Sequence, residues 1–104
     1  MILITTTSDD KPELERIAGL LVEQKLAACC QISGPVTSFY TWQDKLETSQ
    51  EWVCSIKTLS TKFKQIRDLI TEHHHYDVPQ IVAVETCNAS ARYAVWVDAM
   101  VGKD

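Results

Sequence analysis

The sequence predicts an α+β fold with the order β-α-β-β-α-β, a long central β-hairpin and a C-terminal helix. Three observations carry that expectation. Apolar residues recur at helical spacing in two separate segments, 14–26 and 63–70. β-branched residues crowd 1–7 and 80–86, before the first of those segments and after the second. Between them, residues 28–58 show no helical period and are broken only by Gly34-Pro35 and Gln43-Asp44-Lys45.

The first strand, residues 1–7, runs into Asp10, Pro12 and Glu13. Asp10 followed by Glu13 resembles a capping box, and Pro12 falls in the first turn, where a missing N–H is tolerated. Leu14, Ile17, Ala18, Leu21, Val22 and Leu26 then make one apolar face, with Glu15, Arg16, Glu23 and Lys25 on the wet one. Residues 28–33 are extended. Gly34-Pro35 bends or bulges that strand, because proline cannot donate to a ladder. Extension resumes over 36–42, turns at 43–45 and returns over 46–58. In the returning strand Trp52, Cys54 and Ile56 share one face, while Val53, Ser55 and Lys57 take the other.

Ser60 is the expected cap of the second helix. Its core stripe is Phe63, Ile66, Leu69 and Ile70, with Lys62, Lys64, Arg67 and Asp68 towards water. The helix runs into His73-His74-His75 and must stop before Val78-Pro79, since a residue preceding proline avoids the helical region. Residues 80–86 form a strand whose Ile81-Val82-Ala83-Val84 run reads as buried on both faces. Asn88 or Ser90 caps a last helix carrying Tyr93, Ala94, Val97, Met100 and Val101, and Gly102 ends it. The order is the ferredoxin-like split β-α-β, with two helices on one face of a four-stranded antiparallel sheet. At 104 residues the chain suits one domain, 1–104.

So long a hairpin reaches past so small a body. It cannot bury Phe39, Tyr40, Trp42 and Trp52 against its own chain, and exposed aromatic edges invite pairing. A closed homo-oligomer built through the hairpin strands is the economical solution.

A net charge of −4 with acids and bases interspersed leaves no basic stripe to neutralise phosphates, so nucleic acid is not an expected partner. The apolar runs are too short to span a membrane, and Met1-Ile2-Leu3-Ile4 lacks the basic start of a signal peptide. A cytoplasmic location is therefore expected, with no membrane partner. Cys29, Cys30, Cys54 and Cys87 form no C-x-x-C pair and read as buried free thiols.

No nucleophile elbow, glycine-rich phosphate loop or acid–base–nucleophile set is present, so an enzyme is not expected. Glu47 and Glu51 read as solvated edge charges, and Lys57 as a hairpin salt-bridge partner of Glu51. The densest chemistry is His73-His74-His75, which holds every histidine of the chain. Histidines in a last helical turn suit its negative end and can bond its free carbonyls. They also suit Cu²⁺ and Zn²⁺. Neighbouring helical side chains point about a third of a turn apart, so two can share an ion only where the helix unwinds. Asp77 is a weaker candidate ligand.

Several segments together resemble the CutA family of divalent-cation tolerance proteins. They are Lys25-Leu26-Ala27-Ala28-Cys29, residues 37–45, Ile56-Lys57-Thr58, residues 74–81 and Tyr93-Ala94-Val95-Trp96, in matching order and spacing over nearly the whole chain. The resemblance implies a cytoplasmic homotrimer of ferredoxin-like subunits, locked by pairing of the long hairpins, with a link to copper tolerance and Cu²⁺ or other divalent-ion binding. It implies His73 and His74 as metal ligands, the pair just before the Tyr-x-x-Pro motif. Metal-binding members add a cysteine in the first strand. Here that stretch is Ile4-Thr5-Thr6-Thr7, which implies weak binding. Asp44 stands in place of a usual turn glycine, and His75 in place of a usual proline. Trimeric ferredoxin-like sensors of the PII type are a second resemblance. It implies a small-molecule cleft between subunits lined by Lys57, Tyr76 and Trp52. A protein-interaction module presenting the hairpin tips is a third reading.

Overall fold

A computed structural model describes residues 1–103. The chain runs through β1 (Ile2–Ser8), α1 (Lys11–Glu23), β2 (Cys29–Trp42), β3 (Lys45–Thr58), a 3-10 turn (Ser60–Lys62), α2 (Phe63–His73), β4 (Val82–Glu85) and α3 (Ala91–Met100). The strands form one antiparallel sheet in the order β2-β3-β1-β4, the ferredoxin-like arrangement.

Strand alternation sorts side chains to two faces. On one face Ile4, Cys54 and Ile56 meet Leu14, Ile17, Leu21, Ile66 and Ile70 of the two helices, all fully buried. On the other face Leu3 pairs with Val84 and Thr5 with Val82, and both valines are more than half exposed. The expectation that β4 is buried on both faces is therefore wrong. Burial on both faces needs a layer on each side of the sheet, and α1 and α2 cover only one. α3 packs separately, with Val97 and Val101 against Ala28, Met1 and Leu59.

α1 starts as expected. Asp10 Oδ1 accepts the Glu13 N–H at 3.0 Å. The return half of a capping box is not made, because the Asp10 N–H donates to Ser8 Oγ at 3.0 Å instead. The Glu13 carboxylate is left for other work. α2 begins later than expected, at Phe63, with no side-chain cap. Lys62 is buried in the preceding turn rather than solvated. A 3-10 turn advances about 120° per residue instead of about 100°, which shifts Lys62 off the wet phase.

The hairpin closes on Gln43 (φ 52) and Asp44 (φ 64), both left-handed, as a two-residue turn of the primed type requires. A bulge separates the pairs Ser33↔Val53 and Val36↔Glu51. Gly34 sits there at φ +133, and a Cβ would stand 3.1 Å from both Glu51 O and Trp52 Cδ1, so only glycine fits. Beyond the bulge Phe39 and Leu46 are 70% and 75% exposed, and Tyr40 and Trp42 are also exposed. Trp52 differs from the aromatics it was grouped with: it is partly buried against the main core. Of the cysteines only Cys54 is buried; Cys29 and Cys30 are half-buried and Cys87 is exposed, all as free thiols.

Candidate metal centre

α2 ends at His73. The His74 N–H donates to Ile70 O at 2.9 Å, closing the last turn, and His74 itself is extended (φ −89, ψ 136). The unwinding expected before Val78-Pro79 thus falls between His73 and His74. It sends the three imidazoles to different places. His73 stays half-buried on the helix, His74 enters the interior and His75 lies on the surface.

The His74 Nε2–H donates to the Thr7 carbonyl at 2.7 Å, and Nδ1 accepts the Tyr76 N–H at 3.1 Å. Those two bonds fix a neutral tautomer. His75 does the opposite. Its Nδ1 shares a hydrogen bond with Glu13 Oε2 at 2.7 Å, and its Nε2 stands 3.0 Å from Asp9 Oδ1. Two carboxylates facing the ring favour its protonated form. Its pKa is raised, chiefly by the hydrogen bond to the Glu13 carboxylate, which outweighs burial.

Glu13 is 6% exposed and also accepts from Ser8 Oγ at 3.0 Å and from the His75 N–H at 3.1 Å. Burial pushes its carboxyl up. The bonds from His75 and Ser8 and the nearby His75 ring together outweigh that and hold it below the usual carboxylate range. Glu13, His74 and His75 each offer a ligand atom, and these atoms lie within 4.8 Å of one another. Glu13 Oε2 and His74 Nδ1 are 3.6 Å apart. Donors sharing one tetrahedral ion at bond lengths near 2.1 Å sit about 3.4 Å apart, so this group must draw in from spacings of up to 4.8 Å to close on a cation. Neither His73 nor Asp77 belongs to it.

Beside this group, Tyr76 Oη donates to Glu51 Oε2 at 2.6 Å and accepts the Asp9 N–H at 2.9 Å. Burial, then Glu51, pushes the Tyr76 hydroxyl pKa up. Glu51 is not the solvated edge charge expected of it but a buried one. Lys57 donates to Gln31 Oε1 on the neighbouring strand, not to Glu51. Tyr76 lines a cavity with Thr7, Tyr40, Trp42 and Glu51.

Sequence reasoning missed Glu13 as part of the site. Its spacing from Asp10 had a local explanation, and its partner His75 lies 62 positions away. The only local sign was Ser8, which takes the cap's N–H and so leaves the Glu13 side chain free.

An α+β sheet protein with two imidazoles and a buried carboxylate converging at one sheet end has the donor chemistry of a divalent-cation site. The chain belongs to the CutA1 divalent ion tolerance protein family, whose sequence model matches residues 2–100. It is 38% identical over 98 residues to the divalent-cation tolerance protein CutA of Archaeoglobus fulgidus, covering 94% of this chain and 95% of that one. It is 33% identical to the CutA of Thermus thermophilus, covering 98% and 97%. The solved structure of the A. fulgidus protein superposes with a TM-score of 0.94 at 37% identity, over 98% of this chain and all of that one. That neighbour is described as a periplasmic divalent cation tolerance protein, which overturns the cytoplasmic location expected from the first residues. Among the described residues no helix is long and apolar enough to cross a membrane.

Proposed function

We propose that this protein is a non-enzymatic homotrimer that serves divalent-cation tolerance by binding the cation at the end of α2. The observation that carries this reading is the convergence of Glu13, His74 and His75. The ligand pair expected from sequence, His73 and His74, shares His74 with that group. His74 is thus the common ligand, Glu13 and His75 its partners, and half-buried His73 the further donor. Two imidazoles and a carboxylate suit Zn²⁺ and Cu²⁺, and the absence of a thiol from β1 favours weak over copper-selective binding. Loading must displace the proton shared by His75 and Glu13 and the Tyr76 N–H held by His74 Nδ1.

The trimer reading rests on the hairpin. β2 is an edge strand of 14 residues with its outer backbone groups unpaired by the sheet. Phe39 and Leu46 share one hairpin face and stand in water. An edge this long is completed by another copy.

Calorimetric titration with Zn²⁺ and Cu²⁺ tests the site. His74→Ala is expected to weaken binding by about a hundredfold, and Glu13→Gln and His75→Ala by about tenfold each. Binding should weaken as pH falls, because the proton on His75 competes. Unchanged affinity in His74→Ala would remove the assignment. A loss confined to His73→Ala and His74→Ala would return it to the pair alone.

A further inference from the structure

Two cysteines form a cluster that the cation group does not use. β2 and β3 pair with Cys30 opposite Ile56 and Ile32 opposite Cys54. Cys30 and Cys54 are therefore diagonal neighbours on adjacent strands, on the sheet face that α1 and α2 cover. Cys54 is fully buried, and half-buried Cys30 packs against the same core cluster. Both are free thiols, and their side chains hydrogen-bond to each other. That bond is the main cause that holds the Cys54 thiol below its ordinary range and pushes the Cys30 thiol above it. One proton shared between two sulfurs lets the other leave easily and is itself held firmly. The remaining cysteines stand apart. Cys29 alternates to the opposite face, opposite Lys57, and Cys87 is exposed beyond β4.

A hydrogen-bonded thiol pair can close as a disulfide or hold a metal ion, and the register separates the two. Diagonal partners have Cα atoms about 7–8 Å apart, whereas a disulfide spans about 4.4–6.8 Å, so direct closure would have to draw the strands together. Two sulfurs on opposite sides of a linear ion stand about two metal–sulfur bonds apart, roughly 4.6 Å, which the strands allow as they are. A divalent ion such as Zn²⁺ calls for four donors. Among the described residues the only group of three or more histidine, cysteine and acidic ligands is the one at Glu13, so the thiol pair has no third such donor. Two sulfurs in apolar surroundings suit a soft monovalent ion, Cu⁺. Loading forms two Cu–S bonds, releases both thiol protons and leaves one negative charge, and the Lys57 ammonium favours that charge.

We propose that Cys30 and Cys54 form a two-coordinate site for Cu⁺, complete within one chain. This site goes beyond the divalent-cation reading and does not depend on it.

The test uses the full, assembled protein, reduced and freed of metal, titrated without oxygen with the acetonitrile complex of Cu⁺ against the chromophoric chelator bathocuproine disulfonate. One Cu⁺ per chain should be withheld from the chelator, with a sulfur-to-copper absorption band in the near ultraviolet. X-ray absorption should show two sulfur neighbours. Cys54→Ala and Cys30→Ser should each weaken Cu⁺ binding at least about a hundredfold. Cys30→Ser, at a half-buried position, supplies the test if Cys54→Ala fails to fold. Cys29→Ser and Cys87→Ser should leave the affinity unchanged. His74→Ala should also leave it unchanged, so that failure of this site and failure of the divalent-cation site are told apart. The proposal is overturned if wild type withholds no Cu⁺ from the chelator, or if folded Cys30→Ser binds as wild type does. It is overturned equally if Cys29→Ser or Cys87→Ser loses as much affinity as Cys30→Ser.

Discussion

The two faces of the sheet come from the same alternating strands and reach opposite ends. Beneath α1 and α2, every large apolar side chain of β1 and β3 on that face finds a partner; Ile4 and Ile56 expose nothing. Across the sheet, and out along the hairpin, Val82, Val84, Phe39 and Leu46 keep half or more of their surface in water. Alternation only assigns a side chain to a face. Whether that face is covered depends on where the helices are spent, and this fold spends α1 and α2 on one side. Large apolar residues left in water are the kind of surface that a further layer can cover.

The largest effect should come from the covered face. Ile56→Ala opens a cavity among Ile4, Leu21 and Ile66 and should cost about 2–5 kcal/mol in denaturant unfolding. A loss below about 1 kcal/mol would mean that this face is not the packed one and would break the comparison. Thr6→Val sharpens it from the other direction. Thr6 is fully buried on the same face, and its hydroxyl has no hydrogen-bond partner among the described residues. Valine has the same shape, so the change should stabilise the chain by about 1 kcal/mol, read in the same experiment.

A smaller effect is expected from the ion pair at the sheet end, because His75 is half exposed and water screens it. Its sign follows from the two shifts. The raised pKa of His75 gives a stabilisation complete below its ordinary 6.5 and lost as pH rises through the folded value. The lowered pKa of Glu13 gives one present above its ordinary 4.5 and lost as pH falls through the folded value. The melting temperatures of wild type and His75→Ala should therefore differ most between pH 4.5 and 6.5. The difference should shrink on both sides of that window. The smallest effect on the chain's own fold should come from Phe39→Ser with Leu46→Ser. Exposed positions of this kind shift subunit stability by no more than about 0.5 kcal/mol. The circular dichroism spectrum should be retained while the mass by light scattering falls. An unfolded double variant would show that the hairpin tip is part of the core after all.

The element order was legible because each element has a strong local signature. The Asp10 cap, the Leu14-Ile17-Leu21 stripe and the Gln43-Asp44 turn all act over a few residues. The break after His73 was legible from Val78-Pro79 for the same reason. What escaped is long-range. Glu51 alternates with polar neighbours and gives no sign that Tyr76 will cover it. Glu13 joins His75 only because β1 and α1 pass the end of α2. Val82 and Val84 have the composition of a doubly buried strand, and only the placing of the helices leaves them in water. The candidate site was therefore half visible: His74 stands in both the expected pair and the observed group, while its carboxylate partner is a product of the fold.

Native mass spectrometry of untagged protein with equimolar Zn²⁺ tests the central claim most directly. The account predicts a particle of three chains holding one ion per chain, with the ions lost in His74→Ala and the particle retained. A single-chain mass, or three chains that hold no ion in wild type, would contradict it.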